Sequence, residues 1–286
     1  NIPLDQDVNL NVVAKGTPGL AGADLENLLN EGALFAARRG KDKVAMIDIE
    51  DAKDKVMMGI ERKSMILTDE EKKITAYHEA GHALVAYHTK GADPVHKITI
   101  IPRGQALGLT AQLPINEKHN YSKKYLVGRL DILMGGRCAE KIIFDDFTTG
   151  AGNDIAVATD IAKKMVTKWG MSDGIGPLTF GKSNEEVFLG REIAQSKDYS
   201  EDKSKIIDVE TTELVKAAEL RATKILNSNM SQLHDLANAL LEFESINNEE
   251  FGKIVKGEKI VKINQDSNKA KKTRRSNKVP KESELN

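Results

Sequence analysis

The sequence predicts a mainly α protein: a small helical bundle over residues 1–63, a longer, mostly helical unit over 64–252 that contains one short β-hairpin, and a basic segment over 253–286. Three observations carry this. Apolar residues recur at three- and four-residue spacing through segments rich in Ala, Leu, Glu and Lys, the period of a helix with one buried face. β-Branched alternation falls in His96-Lys97-Ile98-Thr99-Ile100-Ile101, with a return segment from Leu107 to Leu113 after the turn Pro102-Arg103-Gly104. Beyond Phe251 apolar residues give way to Lys, Arg, Asn and Ser, a composition that buries too little surface to order itself.

In the first unit a short amphipathic piece from Val8 to Ala14 leads to the turn Gly16-Thr17-Pro18-Gly19. Leu20, Leu25, Leu28, Leu29, Ala33, Leu34 and Ala37 then form an apolar stripe that stops near Gly40. Asp48 is placed to cap a further helix carrying Ile49, Ala52, Val56 and Met57.

The second unit opens with a helix from Thr68 to His88. Thr68 and Glu71 fit a capping box, and Asp69, Glu70 and Glu71 put negative charge on the first turn. Gly81 inside this helix marks either a close approach of another backbone or a packing glycine. After the hairpin, Ser122 caps a helix with Leu126, Leu130, Leu133 and Met134 on one face, running through Gly135-Gly136 to Phe144. Asn153-Asp154 opens a helix bearing Ile155, Ala158, Ile161, Ala162, Met165 and Trp169. A long helix from Ser200 carries Ile206, Ile207, Val209, Leu214, Ala217, Leu220, Ile225 and Leu226, and another follows through Leu233, Leu236, Ala237, Leu240 and Leu241.

Charge is balanced, 42 Lys and Arg against 43 Asp and Glu, which predicts no nucleic-acid partner. The run Lys269, Lys271, Lys272, Arg274, Arg275 reads as a solvated tail. One cysteine, Cys138, excludes an intramolecular disulfide and favours a reducing compartment. No apolar run reaches the length of a membrane span and no signal-peptide pattern is present. The sequence begins at Asn1 inside what reads as a structural element, so a soluble fragment of a longer chain is expected.

The chemistry concentrates in His78-Glu79-Ala80-Gly81-His82. Helix positions four apart differ by about 40° in projection, so the two imidazoles converge on one point with Glu79 beside them. Two neutral imidazoles suit Zn²⁺, a third protein ligand leaves one tetrahedral position for water, and a neighbouring carboxylate can take that water's proton. The reaction such a set serves is amide hydrolysis; the competing reading is two solvated histidines and a surface glutamate. His88, His96 and His119 lie off this arc. Asp154, in a first helical turn, is either a helix-end stabiliser or the missing third ligand. The hairpin offers a free edge to which an extended peptide can add by main-chain hydrogen bonds.

Two resemblances add to this reading. Thr17-Pro18-Gly19-Leu20-Ala21-Gly22-Ala23-Asp24-Leu25, running on to Ala36-Ala37-Arg38, resembles the sensor-2 helix in the lid of AAA-type ATPases. That implies that Gly22 and Ala23 lie against the adenosine of ATP, although the phosphate-binding loop and the acidic metal-binding strand are not in this sequence. His78 to His82, Ile100-Ile101-Pro102-Arg103-Gly104, Gly135-Gly136-Arg137, Thr149-Gly150-Ala151-Gly152-Asn153-Asp154, Trp169-Gly170-Met171-Ser172 and Phe188-Leu189-Gly190-Arg191 together resemble the FtsH family of ATP-dependent zinc metalloproteases. The resemblance implies that His78, His82 and Asp154 bind zinc and that Glu79 is the general base, with Glu140 the competing carboxylate, as ligand or as partner of a histidine. It also implies an ATP- and Mg²⁺-dependent homohexamer that degrades unfolded or membrane protein substrates. Such an assembly is anchored through N-terminal segments absent here, on the cytoplasmic face of the cell inner membrane. Departures are small: Gly32 stands where the lid motif usually has alanine, and Cys138 and Gly152 replace other small residues. A module with a structural zinc and an ATPase-associated adaptor are the rival readings; a purely structural zinc has no need of Glu79.

Overall fold

The structure, a computed structural model, describes residues 2–62, 65, 67–104, 106–114, 120–180 and 200–260. The Phe188-Leu189-Gly190-Arg191 motif, His119 and the basic segment past residue 260 lie outside the described residues.

The first helices are α1 (Leu10–Lys15), α2 (Gly22–Arg38) and α3 (Met46–Met58). Their shared core is Val13, Leu28, Ala36, Val44, Ile49 and Ala52. On α2 the buried line is Leu28, Gly32, Ala36, a ridge of mostly small residues that lets α3 pack closely. Leu25 and Leu34, assigned to the stripe by spacing, are surface residues; Leu34, about 120° round the helix from Leu28, is 51% exposed. Asp48 is not the N-cap of α3. Ala45 holds that position, and Asp48, in the first turn, accepts the Ala45 N–H at 3.0 Å. Its buried carboxylate also pairs with Arg39 and Lys41.

The larger unit contains α4 (Asp69–His88), β1 (Val95–Thr99), β2 (Leu109–Gln112), α5 (Lys123–Phe144), a 3₁₀ turn (Thr149–Ala151) leading into α6 (Gly152–Thr167), α7 (Glu201–Ser228), α8 (Met230–Phe243), β3 (Ser245–Asn247) and α9 (Asn248–Val255). α4 starts with the expected reciprocal cap: Thr68 Oγ1 accepts from Glu71 N–H, and Glu71 Oε2 accepts from Thr68 N–H at 2.8 Å. Every residue from Thr75 to Ala86 is buried, so α4 is the axis of the unit and not an amphipathic surface helix. It packs on α5, α7, α8, β1 and β2. Small side chains at Ala76, Ala80, Gly81 and Ala83 make room for neighbours on several sides. At Gly81 the approach is extreme: a Cβ there would lie 2.4 Å from the carbonyl oxygen of Gly135, so the two helices touch backbone to backbone.

The hairpin gains a third strand. The antiparallel order is β2-β1-β3, with Ile98 opposite both Thr110 and Ile246. Three residues are too few for a periodic signal, which is why β3 is not legible in the sequence. β2 remains an edge of this sheet. α9 then carries Phe251, Ile254 and Val255 into the core, with Ile260 packed against it. On α7 the buried set is Ile207, Ala218, Ala222 and Leu226; Val209 and Leu220, assigned to the buried face by spacing, are exposed, Leu220 by 72%.

A charged seam joins the two units. Glu50, Lys53 and Asp54 of α3 face His96 and Lys97 of β1 and the loop residue Arg103. Glu50 Oε2 is 2.5 Å from Lys53 Nζ and 3.2 Å from His96 Nε2; Asp54 Oδ2 is 2.5 Å from Lys97 Nζ. Burial alone would raise the Glu50 pKa, but the contact with His96 and the charge of Lys53 outweigh it and hold it at about 2.

Candidate metal centre

α4 carries His78, Glu79 and His82, all buried, into a cleft of about 980 Å³ bounded by β2, α5 and the start of α6. The two Nε2 atoms are 3.0 Å apart. Asp154, in the first turn of α6, brings Oδ2 to 3.3 Å from His78 Nε2 and 3.2 Å from His82 Nε2. Tetrahedral ligands about 2.0–2.1 Å from a Zn²⁺ ion stand roughly 3.3 Å from one another, so this triangle has the size of one face of a zinc tetrahedron. The fit rests on donor chemistry as well as spacing: two imidazoles and a carboxylate are zinc ligands, and this is the one such group of three among the described residues.

The outer nitrogens fix the imidazoles. His82 Nδ1 donates to the carbonyl of Ile132 at 2.7 Å, which turns Nε2 toward Asp154. His78 Nδ1 is 2.6 Å from Glu140 Oε1, while Glu140 Oε2 accepts the Thr148 N–H at 2.8 Å. Glu140 therefore stands behind His78, on the far side of the ring from the three converging atoms. Gly136 closes the site from α5: a Cβ there would lie 2.5 Å from His78 Nε2 and 2.6 Å from His82 Nε2.

Electrostatics favour a cation. Burial works against ionisation of Asp154, but its hydrogen bonds with His78 and His82 prevail and hold its carboxyl well below the usual range. Burial likewise would lower His78, yet Asp154, Glu140 and the charge of Glu79 raise it to about 10. Glu140 is lowered because His78 and the Thr148 N–H together outweigh its burial. Glu79 is raised by its complete burial, against the pull of the two histidines. The carboxylates of Asp154, Glu140 and Glu79, gathered around two buried imidazoles, put negative charge about the point where the three ligand atoms converge.

Of the sequence-predicted residues, His78, Glu79, His82 and Asp154 converge, and Glu140 joins them one contact further out. His88 is elsewhere, 2.8 Å from Gln232, and His96 belongs to the charged seam. Gly22 and Ala23 lie at the exposed start of α2. The Ile132 carbonyl, the Thr148 N–H and Thr110, whose Oγ1 lies 2.6 Å from Glu79 Oε2, were not anticipated. Backbone groups leave no mark in a sequence, and a threonine in a predicted strand reads as an ordinary strand residue.

An i, i+4 histidine pair with an intervening glutamate and a carboxylate from a second helix, lining an open cleft, defines a metallopeptidase-type centre. Residues 65–254 match peptidase family M41, and the chain belongs to that family. Residues 7–51 match the AAA+ lid domain. Similar proteins include the ATP-dependent zinc metalloprotease FtsH of Acidobacterium capsulatum, 56% identical over 90% of this chain and 40% of that protein. The proteins of the same name from Magnetococcus marinus and Endomicrobium trichonymphae are 53% identical over 90% of the chain and 49% over 98%, covering 38% and 44% of their own lengths. The chain thus spans about 40% of the length of the relatives it matches.

Proposed function

We propose that this chain is the zinc endopeptidase portion, with an ATPase lid, of a membrane-anchored, ATP-dependent protease that acts on unfolded or membrane proteins. The observation that carries the reading is the triangle of His78 Nε2, His82 Nε2 and Asp154 Oδ2, with separations of 3.0 to 3.3 Å, one residue from a buried glutamate. His78, His82 and Asp154 would hold the zinc, and Glu140 orients His78 from behind. Zinc, when bound, supplies Lewis acidity toward the scissile carbonyl and eases deprotonation of the attacking water. Glu79 accepts that water's proton and delivers it to the leaving amine. The edge of β2 aligns an extended peptide through main-chain hydrogen bonds, so the site makes little demand on substrate sequence.

The lid unit is residues 1–63, the peptidase unit 64–252 and the basic tail 253–286, the first two supported by the lid match over 7–51 and the peptidase match over 65–254. Gly22 and Ala23 contact ATP, with its Mg²⁺, in the longer protein, as a homohexamer. Support for these assignments is the lid match, the exposure of the α2 start and the name shared by the relatives. No helix among the described residues is long and apolar enough to cross a membrane.

The test compares wild type with Asp154→Ala and Glu79→Gln, purified identically. Wild type carries about one zinc per chain, Asp154→Ala loses most of it, and Glu79→Gln keeps the metal but not turnover of an unfolded protein. Zinc retained in full by Asp154→Ala removes that residue from the ligand set, and wild-type turnover by Glu79→Gln removes the base.

A further inference from the structure

Glu79 is enclosed by two residues of the strand segment opposite it. Thr110 points its side chain at α4: Oγ1 lies 2.6 Å from Glu79 Oε2 and 3.1 Å from the Glu79 carbonyl. Two positions earlier, and so on the same side of the extended chain, Gly108 leaves room for the carboxylate. A Cβ at Gly108 would lie 2.7 Å from both Glu79 Cγ and Oε1. Among the described residues Thr110 supplies the one side-chain hydrogen bond to this buried carboxylate. Without that hydroxyl the buried carboxylate keeps its packing against Gly108 but loses its side-chain donor.

We propose that Thr110 is a positioning residue for the general base. Its hydroxyl donates to Oε2 and fixes the plane of the carboxylate, leaving Oε1 to take and return the proton. The inference rests on Glu79 being the base, and adds a consequence for the sheet. Thr110 lies in β2, the edge strand onto which an extended peptide would add, directly opposite Ile98 of β1. One strand then sets both the height of the peptide and the orientation of the carboxylate. The register of the bound chain is thereby tied to the position of the proton acceptor.

The test measures kcat and KM of the zinc-loaded full chain, in its native assembly, toward an unfolded protein substrate. The variants are Thr110→Val, Thr110→Ser and Glu79→Gln. Valine keeps the β-branched shape and removes the hydroxyl; serine keeps the hydroxyl and removes the methyl. A hydrogen bond to a charged group corresponds to a rate factor of roughly ten- to a hundredfold. The expected result is a kcat lowered by that factor in Thr110→Val, with KM and zinc content unchanged, and most of the rate restored in Thr110→Ser. A wild-type kcat in Thr110→Val beside an inactive Glu79→Gln overturns the role of Thr110 and leaves the base assignment intact. A wild-type rate in Glu79→Gln removes the base and this inference with it. Zinc loss or a raised KM as the main effect of Thr110→Val, or failure of serine to restore the rate, shows that Thr110 is structural and also overturns the proposal.

Discussion

Gly136→Ala tests how the metal centre is closed. The added Cβ would fall 2.5 Å from His78 Cε1 and Nε2 and 2.6 Å from His82 Nε2, about 1 Å inside ordinary contact. Neither ring can retreat freely, because His78 Nδ1 is held by Glu140 at 2.6 Å and His82 Nδ1 by the Ile132 carbonyl at 2.7 Å. α5 could move outward only by opening the Gly81 and Gly135 backbone contact one residue away. Forcing an extra methyl into such a site costs about 1–3 kcal/mol, or roughly 2–12 °C of melting temperature at the scale of this domain. The larger effect is on the metal, whose bonds tolerate only tenths of an ångström: zinc affinity falls by at least ten- to a hundredfold, the loss that follows misplacement of a ligand by its surroundings. The assay is zinc retention against a chelator of known affinity, with a thermal melt of the zinc-loaded protein beside it. Affinity within about threefold of wild type, together with an unchanged melt, would refute the claim that α5 must carry glycine here.

Two further predictions follow from groups at greater distance from the ion. Glu140→Ala should lower zinc affinity roughly ten- to a hundredfold by freeing the His78 ring, with Glu140→Gln intermediate because the amide oxygen can still accept from Nδ1; the same chelator competition reads it. The charged seam should show itself in acid. Glu50 is held at about 2 in the folded chain against an ordinary 4.5, so its ion pair stabilises fully above about pH 4.5, and the contribution is lost as pH falls toward 2. The shift corresponds to about 3 kcal/mol. Urea unfolding of wild type and Glu50→Gln should therefore differ at pH 6, differ by roughly half as much at pH 3, and converge only near pH 2; a gap independent of pH would refute the assignment.

The helices were legible wherever a cap and a long apolar period agreed, as at Thr68 and Glu71 for α4 and at Ser122 for α5. The ligand pair was legible because four-residue spacing on a helix is a local geometric fact. Asp154 and Glu140 were visible as candidates, but both lie within helices close to an end, where acids are ordinary. Which of them meets Nε2 depends on how α5 and α6 dock against α4. The exposed Leu34, Leu220 and Val209 erred for a related reason: an apolar side chain shows that a helix has a buried face, while the packing partner chooses which face.

By itself, then, the sequence determined the helical class and the imidazole clamp with its adjacent glutamate, since each depends on residues a few positions apart; Gly81 left close approach and plain packing both open, and the structure decided for close approach. Only the tertiary structure decided that α4 is buried all round, that β3 joins the hairpin, that Glu140 stands behind His78, that Asp154 faces both rings, and that Thr110 holds Glu79. These relations join residues 31 to about 150 positions apart, and contacts that distant arise when the buried apolar surface of the whole chain is packed at once.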